Sequence, residues 1–141
     1  MIERTRQTRG ILDTSTVILL SRLDDPMLLP DEPVITAITL AELTVGPLVA
    51  ASDVERAARQ AHVQQAESDF DALPFDAAAA RALGRVAASL RQSGREPAAR
   101  SYDAMIAATP LANALPVYTC NPDDFMGIDG LDVIAVPPPT R

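Results

Sequence analysis

Short apolar segments alternate along this chain with stretches of helical periodicity, and this alternation limits the possible folds more than any other feature. Residues 10–13, 34–38, 116–119 and 131–136 have the length and apolar content of buried strands. Strands that are joined through helices pair in parallel. The sequence therefore predicts one α/β domain with a mainly parallel sheet of about four or five strands, flanked by helices.

Two helix starts are expected directly after strands. Thr14 or Ser15 would cap the helix that follows the first strand. Thr39 and Glu42 have the spacing of a capping box at the start of the next helix. A capping box would explain Glu42 without any function, so this acid on its own is weak evidence for a site.

Length and composition favour a single domain that stays inside the cell. The chain has 141 residues, enough for one core, and we expect residues 1–9 and 137–141 to be loose termini. A lone cysteine, Cys120, cannot form an internal disulfide, which favours a reducing compartment. The sequence shows neither a signal peptide nor an apolar run of about 20 residues. We therefore expect a cytoplasmic protein.

The net charge of −7 argues against a passive nucleic-acid binder, which usually has a basic face. It does not argue against an enzyme whose acids are neutralised by a cation. All the basic residues are Arg, since the chain contains no Lys. Mechanisms that need a catalytic lysine are therefore excluded.

Acidic residues recur near the carboxyl ends of the predicted strands, where ligands bind in open parallel sheets. Asp13 ends the first strand, Glu42 follows the second, and Asp124 follows the strand at 116–119, while Asp103 lies in the helix before that strand. Converging carboxylates repel one another unless a cation neutralises them. Oxygen ligands without supporting His or Cys favour Mg²⁺ or Mn²⁺, and such a site suits phosphodiester hydrolysis.

Four segments in this order, ILDTS, LAELTVG, SYDAMIAA and YTCNPDDF, resemble the PIN-domain ribonucleases, and in particular the VapC toxins of bacterial VapBC toxin–antitoxin modules. The resemblance extends from Ile11 to Val136. Each motif alone is weak, and the ordered set is strong. It implies that Asp13, Glu42 and Asp103 are the metal-site acids.

The same resemblance assigns supporting and less certain positions. Thr14 and Ser15 match the hydroxyl positions beside the first acid, and Thr119 matches the threonine of the last motif. Many PIN domains have Thr-x-Asp in that motif, whereas this chain has Asn121 there. The VapC-like variant of the motif points to Asp124 as the fourth acid, with Asn121 as the alternative.

The resemblance also implies an activity and partners. It implies Mg²⁺-dependent cleavage of RNA, with Mn²⁺ as a substitute, that leaves 5′-phosphate and 3′-hydroxyl ends. It further implies a homodimer and a cognate VapB-type antitoxin that occludes the cleft. Arg95 and Arg100, on the approach to Asp103, are candidates for contact with RNA phosphates. Pro110 departs from the family pattern and is expected to kink its helix.

Two other functions compete with this interpretation. Phosphotransfer through an aspartyl-phosphate at Asp13 is disfavoured, because such enzymes generally use a lysine that this chain lacks. A non-catalytic module could instead keep the fold and hold an Arg-bearing partner peptide in its acidic cleft. Two further residues are expected to be inert, His62 as an exposed residue of a polar helix and Cys120 as a small core residue.

Overall fold

The computed structural model describes residues 9–95 and 101–140, and these residues contain a five-stranded, all-parallel sheet. The strand order is β3-β2-β1-β4-β5, so β1 lies at the centre. This arrangement confirms the predicted α/β fold. The strands are β1 (Arg9–Leu12), β2 (Glu32–Thr36), β3 (Ala72–Leu73), β4 (Val117–Thr119) and β5 (Val133–Ala135).

Five α-helices connect these strands in the described part of the chain. They are α1 (Thr14–Leu19), α2 (Ala37–Val45), α3 (Asp53–Asp69), α4 (Ala77–Gln92) and α5 (Ser101–Asn113). Short 3₁₀ turns occur at Gly46–Val49 and Pro122–Phe125, among others. The last helix continues through Pro110, so the proline does not divide it. None of the helices that the structure describes has both the length and the apolar content to span a bilayer.

Both faces of the sheet are buried. Successive strand residues point to opposite faces, and Ile11 packs with residues of α4 and α5, whereas Leu12 packs with residues of α1 and α3. The parallel register places Ile11 beside Val117 and Leu12 beside Tyr118. Because apolar side chains fill both faces, polar groups can collect only at the strand ends. Asp13 lies at the carboxyl end of the central strand.

The two predicted helix caps were wrong, because each helix begins earlier in the sequence than predicted. Asp13, and neither Thr14 nor Ser15, is the N-cap of α1, and its side chain accepts a hydrogen bond from the Thr16 backbone. Thr36, and not Thr39, is the N-cap of α2. Strand pairing continues to Leu12 in β1 and to Thr36 in β2, and the helix that follows each strand begins shortly after that residue. Glu42 therefore lies inside α2 and takes no part in a capping box.

Candidate active site

Asp13 is a buried acid, with only 4% of its surface exposed. Its carboxylate accepts four hydrogen bonds from three neighbours in space. Oδ1 accepts from the backbone N–H of Thr16 at 3.2 Å and from its hydroxyl at 2.5 Å. Oδ2 accepts from the hydroxyls of Ser15 at 3.1 Å and of Thr119 at 2.8 Å. The acid is held in one orientation between the start of α1 and the end of β4.

Burial raises the pKa of Asp13 above its ordinary value, because removal from water disfavours the charged form. The hydrogen bonds from Thr16, Thr119 and Ser15 act in the opposite direction and lower the pKa. Burial is the larger effect. The folded chain therefore keeps a carboxylate whose charge is only partly compensated, which is the environment of a group that interacts with a cation.

A second acid reaches this site through a hydroxyl. The Thr14 hydroxyl oxygen lies 2.7 Å from Oε1 of Glu42 and 3.0 Å from the hydroxyl oxygen of Thr39. Since a hydroxyl has one proton, Thr14 donates to the carboxylate and accepts from Thr39. This contact brings α2 against the start of α1, and the half-buried Glu42 is hydrogen-bonded to the residue that follows Asp13 in the sequence.

Thr16 is a site residue that the sequence analysis missed. Its hydroxyl is fully buried, donates to Asp13 and accepts the backbone N–H of Cys120 at 3.0 Å. The hydroxyl of Thr119 is used in the same way, because it donates to Asp13 and accepts the backbone N–H of Asn121 at 2.9 Å. The available signal was spacing, since Thr16 stands three residues after an acid at a helix start, where a hydroxyl faces the cap.

The candidates for the fourth acid position lie together just after β4. Asn121 is exposed and precedes the 3₁₀ turn, and Asp124 is half-buried within that turn. The Arg95 guanidinium donates to the backbone carbonyl of Asp123 at 2.7 Å. Arg95 is therefore beside the segment that contains both candidates for the fourth acid position.

The structure says less about two other predicted site residues, Asp103 and Arg100. Asp103 is in the first turn of α5 and is half-buried, and α5 packs against α2 and α4. Asp103 also has an interaction partner in the structure. Arg100 lies outside the residues that the structure describes.

The acids do not form a closed ligand set in this structure. Within residues 9–95 and 101–140, no three His, Cys, Asp or Glu side chains are grouped so that they could hold a metal ion together. Asp13 is hydrogen-bonded to Ser15, Thr16 and Thr119, and Glu42 is hydrogen-bonded to Thr14, which follows Asp13 in the sequence. The side-chain atoms of Asp13 and Glu42 that could bind a cation are nevertheless hard carboxylate oxygens, which suit Mg²⁺ or Mn²⁺. These oxygen atoms, and the buried Asp13 charge that its hydrogen bonds only partly compensate, fit a hard divalent cation.

A cleft of about 240 Å³ opens beside this network. Thr14 and Glu42 form one wall, and α3 contributes Arg59 and His62 to the other. His62 is half-buried, so the expectation that it is exposed was wrong. The polar pattern of α3 hid this, because only the packing of α3 against α1 and α2 turns His62 toward the site.

The negative charge of the chain is concentrated partly at the opposite end of the strands. A cavity of about 340 Å³ near the start of β2 is lined by five acids. They are Asp31, Glu32, Glu67, Asp69 and Asp71. Much of the net charge of −7 therefore lies away from the Asp13 end, so the total charge does not describe the surface that a substrate would meet.

Comparison with known proteins gives matches that extend over most of the chain. The family model of the PIN domain matches residues 11–131. Ribonuclease VapC5 of Mycobacterium tuberculosis (strain ATCC 25618 / H37Rv) is 42% identical over 128 residues, which cover 89% of this chain and 92% of VapC5.

Solved structures give the same result. VapBC-5 from Mycobacterium tuberculosis, a member of the VapBC family of toxin–antitoxin systems, matches with a TM-score of 0.79 and 41% identity, covering 92% of this chain and 99% of the matched chain. DNA-bound VapBC from Salmonella typhimurium matches with a TM-score of 0.67 and 27% identity, covering 90% and 97%. The chain therefore belongs to the PIN-domain family, with VapC5 among its relatives.

Proposed function

We propose that this chain is the toxin of a type II toxin–antitoxin system and acts as a Mg²⁺-dependent endoribonuclease. The observation that carries the proposal is the buried Asp13 carboxylate, fixed at the carboxyl end of the central strand in a chain 42% identical to Ribonuclease VapC5. A fixed acid with a raised pKa is a common feature of functional sites. A purely structural cap would not need burial of this kind.

The residues that would hold the cation, directly or through water, are Asp13, Glu42, Asp103 and Asp124, with Asn121 as the alternative to the last. When bound, Mg²⁺ supplies a Lewis acid that activates water and offsets charge on the phosphodiester. Mn²⁺ has the same preference for oxygen donors and would substitute. Cleavage would leave 5′-phosphate and 3′-hydroxyl ends.

The three hydroxyls that donate to Asp13 differ in bond length and in burial. A carboxylate has about four acceptor positions, and all four are used here. The bond from Ser15 is the longest of the three hydroxyl bonds, and Ser15 is half-buried, whereas Thr16 and Thr119 are fully buried. We infer that Thr16 and Thr119 orient Asp13 permanently. Rotation of the Ser15 hydroxyl would free one position on Oδ2 for a new partner.

Arginines would offset the acidic field along the RNA path. Arg95 uses one donor on the Asp123 carbonyl, and a guanidinium has five donors. It can therefore support the turn after β4 and contact a phosphate at the same time. Arg100 is proposed for the same role from its place in the sequence. The acidic cavity near the start of β2 is at the other end of the strands and would not face the RNA.

We further propose that the partner is a VapB-type antitoxin, that the chain forms a homodimer, and that it works in the cytoplasm. The similarity to VapBC-5, a toxin–antitoxin structure, supports the antitoxin. Exposed apolar side chains of α1, of the end of α2 and its following turn, and of the start of α3 provide surface for protein contacts. They include Ile18, Val45, Leu48, Val49 and Val54.

The test is cleavage of single-stranded RNA by the purified full chain with Mg²⁺, Mn²⁺ or a chelator. Asp13→Asn should lower the rate by more than about 100-fold, because even groups that only orient a metal ligand contribute about 10- to 100-fold. Asp25→Asn is the matched control, since Asp25 also caps a helical turn through its side chain but is exposed and precedes β2. It should retain the wild-type rate.

Two results would contradict the proposal. Full Mg²⁺-dependent cleavage by Asp13→Asn would show that this acid is not catalytic. Absence of cleavage by the wild type with either metal, together with tight binding of an Arg-bearing peptide, would favour the non-catalytic binding module instead. Induction in a bacterial host should also arrest growth, and Asp13→Asn should remove the toxicity while leaving the circular dichroism spectrum unchanged.

A further inference from the structure

The cleft beside Glu42 has walls that the proposed chemistry does not use. The half-buried imidazole of His62 and the side chains of Ile18 and Leu43 line it together with Thr14 and Glu42. His62 is the only histidine in the chain. The cleft, named here the His62 cleft, thus combines one flat ring, two aliphatic surfaces and two hydrogen-bonding groups next to the Asp13 network.

The charges around the His62 cleft argue against a phosphate as its occupant. Arg59 also lines the cleft, but its guanidinium is paired with the Glu55 carboxylate and donates to the Gly46 carbonyl at 2.9 Å. Its positive charge is therefore balanced within α3. Glu42 adds a negative charge on the opposite wall, so the cleft offers no net attraction for an anion.

The size and surface of the cleft fit a small flat group that is uncharged. A volume of about 240 Å³ is below the roughly 300–1,000 Å³ of pockets for drug-sized ligands. Unpaired RNA bases are recognised by stacking on aromatic rings, His among them, and by hydrogen bonds to their edges. The His62 cleft offers both. His62 can stack, and the Glu42 carboxylate has about four acceptor positions, so it can accept from Thr14, help to hold the cation and still accept from an exocyclic amino group.

We propose that the His62 cleft binds one unpaired nucleobase of the RNA, adjacent to the phosphodiester that is cut, and that His62 determines the nucleotide preference at that position. The inference rests on the proposed ribonuclease function, since it names part of the substrate site. It assigns His62 to substrate binding and gives it no part in the hydrolysis itself.

The test measures cleavage of short single-stranded RNAs that differ at one nucleotide on either side of the cut. His62→Ala should raise KM by about tenfold or more for the preferred RNA, as expected for loss of base stacking. It should leave kcat nearly unchanged and flatten the preference at one position. His62→Phe keeps a ring and should recover most of the affinity. Gln64→Ala, an exposed change on the same helix, should match the wild type.

A second measurement separates this inference from the proposed function. Asp13→Asn, which should not cleave, is titrated with the same RNAs by fluorescence anisotropy, with and without His62→Ala. Binding that depends on His62 without any wild-type cleavage would overturn the nuclease proposal and, with it, the position of the base beside a cut phosphodiester, but it would support the binding of a base in the cleft. Normal cleavage with unchanged KM and preference in His62→Ala would overturn the base site alone.

The remaining outcomes also decide the question. Failure of the wild type both to cleave and to bind RNA would overturn both proposals. If His62→Ala weakened binding of a partner peptide and left RNA binding intact, the cleft would be a protein-docking site and the inference would be wrong.

Discussion

Removal of the Thr16 hydroxyl tests whether the buried network around Asp13 stabilises the fold as its geometry indicates. Thr16→Val keeps the shape and volume of the side chain but removes the hydroxyl that donates to Asp13 and accepts from the Cys120 backbone. A hydrogen bond to a charged group contributes about 1.5–3 kcal/mol, and an unsatisfied buried N–H costs about 1–3 kcal/mol. We expect the free energy of unfolding to fall by about 3–5 kcal/mol.

Such a loss would be a large share of the roughly 5–15 kcal/mol by which a domain of this kind is stable. The assay is urea unfolding followed by circular dichroism, because the chain has no Trp for fluorescence. Thr16→Ser is the matched comparison, since it keeps the hydroxyl and removes one buried methyl group, at about 1 kcal/mol. Thr44→Val controls for the exchange itself at an exposed helical position.

The reasoning is refuted if Thr16→Val loses no more stability than Thr16→Ser. That result would mean that water or another hydroxyl satisfies Asp13 and the Cys120 N–H at no cost. A second readout is RNA cleavage, which should fall in Thr16→Val because Asp13 would lose one of the two hydroxyls that orient it. Thr16→Ser should keep most of the wild-type rate.

Three other predictions follow from the site and the sheet. Burial raises the folded-state pKa of Asp13 above the ordinary 3.8. The stability contributed by the protonated form is therefore complete below pH 3.8 and is lost as the pH rises through the raised pKa. Urea midpoints should show this decline in the metal-free wild type and not in Asp13→Asn. Mg²⁺ at a hundred times its Kd should raise the melting temperature of the wild type by about 5–10 °C, and an equal shift in Asp13→Asn would place the ion elsewhere. Gly10→Ala would set a Cβ 2.5 Å from the Tyr118 ring, and overpacking of this kind should lower the free energy of unfolding by about 1–3 kcal/mol, which a urea midpoint equal to that of the wild type would disprove.

The fold was predictable because its signals are local and repeated. Buried strands such as 116–119 and their intervening helices can be found from short stretches of sequence. The parallel sheet follows from their alternation, and the position of Asp13 at a strand end follows from the sheet. The ordered motifs added the family, which the PIN-domain match confirms.

The helix caps were not predictable from local sequence. Asp13, Thr14 and Ser15 are all good capping residues, and so are Thr36 and Thr39. The choice between them depends on where strand pairing ends, and the partners of these strands lie far away in the chain, as Leu12 beside Tyr118 shows. A local pattern therefore gave the right helices with the wrong first residues.

The surroundings of the site depend on packing to an even greater extent. His62 belongs to a helix that is polar along most of its length, and no periodicity distinguishes the residue that faces a cleft from one that faces water. Thr16 appeared as one hydroxyl among several after Asp13. Its role became visible only when β4 placed Cys120 within hydrogen-bond distance.

Asp13 caps α1 and is also the central acid of the proposed site, so few substitutions there would abolish activity without unfolding the protein. Asn at this position keeps an acceptor for the Thr16 N–H and almost the same volume, whereas an apolar residue would leave α1 without its cap and the hydroxyls of Thr16 and Thr119 without their acceptor. If the proposed function holds, a folded Asn variant would still occupy the antitoxin. Such a variant would compete with the active toxin for the antitoxin. In a cell that makes both proteins, accumulation of the inactive variant would release active toxin from its inhibitor.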